Sequence, residues 1–443
     1  MNRGPPCSAI SFSSSARPVS SNGGPERNGA ASDFDRDGAD ATRVAPRAQN
    51  GKHPRLTGPH RRPISLPVSS PDAVVVGGGV MGSAIAWRLA SRGVRTLVLE
   101  RSVPGAEASS VAAGILAPRI EHPEMGPALR LGLQSRDLHE RLAHEIRETL
   151  GIDVGFRRTG AMIAAFDHEG DDFEARTLAM KEMGAPVEFL DGHAAREKEP
   201  HLSAEVRCAI DLPDEAQIEP PRLLRALAIG AARAGAEFRS GTTVRHVHIE
   251  RDRARGVVLD SGEIHANHVI IAAGSWTSLV QGLPMTASVV RPIRGQLLHC
   301  DMRPRIAKRI LFGAGGYVVP RPDGRVVCGA TMENVGFRRE ITLSGIATLI
   351  ARATRLVPAL AHAELTHSAV NFRPMSPDEL PLVGCAGPEH LWLATGHYRN
   401  GILLAPLTAE LIADHITRSP SQICEDDVRA IDPLRFAHSE SHT

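Results

Sequence analysis

The stretch from Asp72 to Glu100, DAVVVGGGVMGSAIAWRLASRGVRTLVLE, constrains the fold more than any other part of the sequence. Ala73 to Val76 is a short apolar run of the kind a buried parallel strand shows, and it leads directly into Gly77, Gly79 and Gly82, spaced G-x-G-x-x-G. Small and apolar residues then recur at helical spacing from Gly82 to Ala90. Gly93 stands where a helix C-terminus wants a left-handed residue, and Thr96 to Leu99 is a second β-rich run ending in Glu100. The pattern predicts one βαβ unit. In such a unit Gly77 permits the tight turn, Gly79 lets a pyrophosphate approach the backbone, and Gly82 lets helix and strand pack closely, with the helix N-terminus facing the phosphates. Glu100 is placed to accept hydrogen bonds from ribose hydroxyls.

At 443 residues the chain is too long for one ordinary core, so two domains are expected. A hydrophobic content of 42% and a charged content of 23% describe a soluble globular protein. The formal net charge is +1, unevenly spread: residues 1–70 hold ten Lys/Arg against five Asp/Glu, leaving 41 against 45 for the remainder. A mildly acidic folded part argues against nucleic-acid binding. The six cysteines lie far apart without any C-x-x-C, as in a reduced cytoplasmic protein with neither disulfide frame nor zinc site. No apolar run approaches the ~20 residues that span a bilayer, so membrane insertion is not expected.

Residues 1–70 are rich in Ser, Pro, Gly and Arg, lack apolar periodicity, and read as a disordered extension. After Glu100, the small residues Gly105, Ser109, Ser110, Ala112, Ala113 and Gly114 fit either a flexible loop or a chain passing close to a large ligand. Leu129 to Leu150 has the periodicity of a packing helix. Ala161 to Phe166 is expected as a strand and Phe173 to Met183 as a helix; Ile218 to Val244 reads as a proline-started helix and a strand. A hairpin is expected to turn at Asp260–Gly262, followed by a buried strand from Val269. From Val289 the signals become antiparallel, with strands at Gln296–His299, Tyr317–Pro320 and Val326–Gly329, the last two joined by Pro322–Asp323–Gly324, and a helix over Leu343–Leu356. Leu391 to Ile416 gives a strand, a glycine turn at Gly396–Gly401 and a long helix. Two glycine turns opening helices, one near each end of the folded chain, suit a long ligand held from both ends.

The segments GGGVMGSAIAWRLASRGVRTLVLE, ASSVAAGIL, YVVPRPDGRVVCGATM, FRPMSPDELPLVG and GHYRNGILLAPLTAELIAD together resemble the FAD-dependent glycine oxidases of thiamine biosynthesis, within the D-amino-acid oxidase family. The resemblance runs in order over roughly residues 72–420. It implies an α/β fold in which a Rossmann-like FAD-binding domain (71–150, 213–285 and 373–420) is joined to a mixed, largely antiparallel-sheet α+β substrate domain (151–212 and 286–372), with 421–443 a C-terminal tail. Non-covalent FAD is implied, since Asn371 to Leu382 holds no cysteine for a flavin link. The implied cofactor set is Gly77, Gly79, Val80, Met81 and Gly82; Glu100 and Arg101; Ser109, Ser110, Ala113, Gly114 and Ile115; Val244; and His397, Tyr398, Arg399, Asn400, Gly401, Ile402 and Leu403. Implied substrate residues are Arg373 and Tyr317 on the amino-acid carboxylate, Met332 lining the pocket, and Arg399 beside both ligands. Arg373 suits that role because a guanidinium fork makes a bidentate, charge-assisted pair. Each also has an ordinary reading: Arg373 a structural ion pair, Tyr398 a core tyrosine, Met332 simple packing.

The reaction that the resemblance implies is oxidation of glycine or another small amino acid to the imino or 2-oxo acid, with dioxygen as acceptor and ammonia and hydrogen peroxide as products. No residue is required as an acid or base, and no metal is implied. Iminoacetate would feed thiamine's thiazole, making thiazole synthase a product acceptor, and a homo-oligomer is the family expectation. Gly315 and Gly316, where a relative can carry a polar side chain, leave strict glycine preference open. A dehydrogenase passing electrons to a quinone, and a larger D-amino-acid or sarcosine substrate, are the alternatives within the fold. A non-catalytic FAD-binding protein would need neither Arg373 nor Tyr317.

Overall fold

The computed structural model describes residues 70–437; the expectation of a disordered extension falls, Ser70 apart, outside them. The predicted βαβ unit is present. Strand β1 (Ala73–Val76) feeds helix α1 (Val80–Ser91), Gly93 follows its end at φ +80°, and β2 (Thr96–Leu99) returns parallel to β1 with Val76 opposite Leu99. Helix α2 (Pro127–Leu150) starts on a proline and stops at Gly151, whose φ of +69° only glycine adopts freely. Strands β3 (Ala161–Ala165), β4 (Glu188–Asp191) and β5 (Cys208–Leu212) precede α3 (Pro220–Arg233), β6 (Glu237–Arg239) and β7 (His268–Ile271). The antiparallel segment holds β8 (Arg291–Asp301), β9 (Ile310–Gly313), β10 (Gly316–Pro320) and β11 (Arg325–Gly329), then α4 (Leu343–Leu356) and β12 (Glu364–Met375). The described chain closes with β13 (Leu382–Cys385), β14 (Leu391–Thr395), α5 (Gly401–Thr417) and two short helical pieces.

Two sheets organise these elements. The first has the order β13-β14-β7-β1-β2-β6, parallel except where β13 meets β14. Because side chains alternate along a strand, β1 splits its burial between faces. Val75 joins the helical core of α1, α2, α3 and α5, while Val74 and Val76 face a three-stranded sheet spanning residues 244–265. The hairpin within that small sheet turns between Leu259 and Gly262, as its sequence predicts.

The second sheet runs β12-β8-β11-β10-β9-β3-β5-β4, antiparallel except between β9 and β3. Leu298, Val318 and Cys328 pack on one face with Leu349 and Ala353 of α4. Leu297, Tyr317 and Val327 occupy the other.

Three local expectations change. Arg373, expected to open the last FAD-binding segment, lies inside β12 of the second sheet, opposite Ile293 of β8. On α2, Leu133, Leu138 and Leu150 are only partly buried, whereas Ser135 and His139 are buried against carbonyls of α5, and Arg136 against the buried Glu215. The expected tail docks: Glu425–Ala430 and Pro433–Phe436 are helical, Ile431 is buried, and Asp427 and Arg435 pair with Arg130 and Asp378.

Candidate active site

Parallel strands β1, β2, β7 and β14 end on one edge of the first sheet, and the loops leaving them wall a cavity of about 490 Å³. Such an edge, where neighbouring connections depart to opposite faces, is where open α/β sheets hold ligands. Gly77, Gly79, Val80 and Met81 enter the wall after β1, Glu100 and Arg101 after β2, and His397 to Ile402 after β14. Helices α1 and α5 both open onto this space. Neither has a side-chain cap from its N-cap residue or an acid in its first turn, so first-turn N–H groups, other than that of Val80, are left for a ligand.

Gly82 does what its spacing predicts without lining the cavity. A Cβ there would lie 1.8 Å from the Gly77 carbonyl oxygen, so only glycine lets α1 seat on the turn. The Glu100 carboxylate accepts from the N–H of Gly78 and of Ser102, both at 2.8 Å, which fixes it in the wall. Ser109 accepts from the Val80 N–H at 3.0 Å and lines the cavity with Ala113, Gly114 and Ile115; Val244 borders it from the small sheet. Ser110 turns away and donates to the Glu107 carbonyl, and Leu403 is buried in the helical core. Arg101 sits over the Trp276 ring, 4.0 Å from its centroid, and pairs with Glu107. Two helix N-termini, a glycine cradle and an acid after β2 fit FAD at this end.

The opposite wall comes from the second sheet. Leu297, Gly329 and Tyr317 stand side by side across β8, β11 and β10. Arg373 projects from β12 over Gly295 of β8: a Cβ on Gly295 would lie 2.1 Å from the Arg373 Nη1. A Cβ on Gly329 would lie 2.5 Å from the Tyr317 hydroxyl. Two glycines therefore make the floor on which the arginine and the tyrosine rest.

Arg373 donates to the Thr331 carbonyl at 3.1 Å and lies near the Tyr317 hydroxyl; among the described residues no carboxylate pairs with it. Burial pushes the Tyr317 phenol up to about 12, outweighing the nearby guanidinium, so it stays protonated at neutral pH.

The other expected substrate residues are placed differently. Arg399 borders the cavity, but its guanidinium is paired with Glu121 at 2.8 Å. Met332 does not border the cavity; its sulfur accepts from the Tyr398 hydroxyl at 3.2 Å, so it reaches the site only through that ring. His397 is buried, contacts Thr408 Oγ1 at 3.0 Å, and is held by burial to about 3. Sequence reasoning missed Glu121, Trp276, Gly295 and Asn371, all of which line the cavity. Only Trp276, directly after a buried strand and a glycine turn, carried a local signal.

Fold and cavity together define a dinucleotide-binding protein whose ligand space is also lined, from the second sheet, by a cation without a carboxylate partner among the described residues. The FAD dependent oxidoreductase family, DAO, matches residues 72–415, and the chain belongs to that family. It is similar to a glycine oxidase of Geobacillus kaustophilus, 37% identical over 354 residues, covering 78% of this chain and 93% of the relative. The crystal structure of glycine oxidase from Geobacillus kaustophilus superposes with a TM-score of 0.77 at 34% identity, over 82% of this chain and 98% of that one. A bifunctional protein ThiO/ThiG of Trichormus variabilis is 36% identical over 79% of this chain; the match spans 53% of that longer protein.

Proposed function

We propose that the protein oxidises glycine, or another small amino acid, with FAD as its redox group, to the imino acid and then the 2-oxo acid. The observation that carries this reading is Arg373: a guanidinium resting on bare backbone, beside a neutral tyrosine and without a carboxylate partner among the described residues. A half-buried cation of that kind is completed by an anion. A substrate carboxylate taking the guanidinium fork and the Tyr317 hydroxyl would be fixed in position and angle at once. FAD, when bound, supplies the two-electron oxidation, and its reoxidation by dioxygen gives hydrogen peroxide.

The chain's own part is binding and orientation. Gly77, Gly79 and the α1 N-terminus would hold the pyrophosphate and Glu100 the adenosine ribose. The α5 N-terminus would present N–H groups to the redox end, where they favour negative charge. Arg399, neutralised by Glu121, shapes the wall rather than competing for the carboxylate. No acid or base is required, which agrees with a site whose buried phenol stays protonated and whose guanidinium holds the substrate.

The fused relative, which joins a ThiO part to a ThiG part, supports a role for the product in thiazole formation and a thiazole synthase as its acceptor. No helix among the described residues is long and apolar enough to cross a membrane, and the five described cysteines are free, which supports the cytoplasm as its place. A steady-state assay of the purified holoprotein in air tests the activity. Glycine should yield ammonia and peroxide in equal amounts; oxidation of glycine without peroxide would move the protein to the dehydrogenases.

A further inference from the structure

Pro406 lies inside α5 and has no N–H, so the Ile402 carbonyl four residues earlier lacks its helical donor, and the ring crowds the turn that holds Leu403. The gap falls in the first turn of the helix that opens on the cavity. Helix α2 fills it with His139 and braces the next carbonyl with Ser135. His139 Nε2 lies 2.8 Å from the Ile402 oxygen and 3.1 Å from that of Leu403, and Ser135 Oγ donates to the Leu403 oxygen at 2.6 Å. Both side chains are fully buried.

Two acceptors facing Nε2 place the proton there, and Nδ1, buried without a hydrogen-bond partner, keeps the lone pair. Burial holds the ring to about 4, so it serves as a neutral donor. The peptide joining Ile402 to Leu403 is planar, with its C=O and N–H pointing opposite ways. Fixing the oxygen therefore fixes the direction of the Leu403 N–H, one of the first-turn donors for which the helix has no acceptor.

We propose that His139 and Ser135 are positioning residues for the cofactor: by supplying from α2 the donor that Pro406 withholds from Ile402 and a further donor to Leu403, they aim the first-turn N–H groups of α5 into the cavity. The inference rests on the reading of that cavity as an FAD site. It explains why a packing helix spends its buried face on a histidine and a serine where leucine would pack, and why an interior proline is tolerated at this helix.

The test is a double-mutant cycle on the full chain, reading FAD affinity by titration of the apoprotein and the visible absorption band of the bound flavin. His139→Ala should weaken FAD binding about tenfold, the scale of one buried hydrogen bond, and shift the band. Ser135→Ala should do the same to a smaller degree, and His139→Gln, which keeps a donor, should restore most of the loss. Pro406→Ala returns an N–H to the Ile402 oxygen; in that background His139→Ala should lose less than about a third as much. Equal losses in both backgrounds, or an unshifted band with unchanged affinity in both alanine variants, would overturn the proposal. Failure of the wild-type chain to take up FAD would instead overturn the cofactor reading, and the proposal with it.

Discussion

At Gly295 the absence of a side chain decides what a residue on another strand can do. The guanidinium of Arg373 occupies the space a Cβ would need, while the Gly295 backbone lies in an ordinary strand conformation that alanine can adopt. Gly295→Ala should therefore fold but displace the arginine, raising KM for glycine roughly 10- to 100-fold, the worth of a charge-assisted hydrogen bond. Steady-state kinetics beside a thermal melt checks this: an unchanged KM would mean the guanidinium does not hold substrate. Tyr317→Phe removes one hydroxyl from the same carboxylate site and should raise KM about fivefold. Nothing local announced Gly295. A glycine in a strand does not say what will cross it, and the β8–β12 register that sets Arg373 opposite Ile293 links positions far apart in the chain. Arg373 itself was legible, from the motif around it. The Arg399–Glu121 pair was not, because its partners sit in two short helical turns far apart in the chain.

Elements were read better than contacts, for a physical reason. A strand, a hairpin or a helix start is written in adjacent residues, and Leu343–Leu356 and the Pro322–Asp323–Gly324 hairpin stand where the sequence puts them. Which face a helix buries depends on what it meets. The leucine periodicity of α2 pointed to one face, yet the helix buries Ser135 and His139 because α5 presents carbonyls there, and Arg136 because it pairs with the buried Glu215. At α1 both levels agree, and Gly82 joins them. Gly82→Ala would drive a methyl into the Gly77 carbonyl and push helix from turn. The purified variant should be colourless, with FAD absent from its visible spectrum. A fully yellow Gly82→Ala protein would show that α1 does not have to seat on that turn to hold the cofactor.

For the whole molecule, burial of neutral histidines sets a pH dependence of stability. His139 is held to about 4 and His397 to about 3 by burial, below the ordinary 6.5. The unfolded chain then binds more protons than the folded one below pH 6.5, so stability is complete above 6.5 and falls as pH drops toward 4. Glu215, raised by burial to about 7 against the pull of Arg136 and Arg119, works the other way: its contribution is complete below pH 4.5 and fades as pH rises through 7. These histidines, joined by His268 and His299, which burial also holds to about 4, outweigh the one carboxyl, leaving a net loss of stability between pH 6.5 and 4. Urea midpoints should fall over that range, with a shallower slope in His139→Gln; midpoints rising toward pH 4 would contradict the balance. The central claim joins the two walls of the cavity, a cation for the substrate carboxylate facing a seat for FAD, and an anaerobic titration tests both at once. Glycine added without oxygen should bleach the flavin absorbance of the holoprotein, and air should restore it with release of peroxide, while Arg373→Leu should bleach only at far higher glycine. Flavin absorbance untouched by glycine, sarcosine and D-alanine alike would contradict the account.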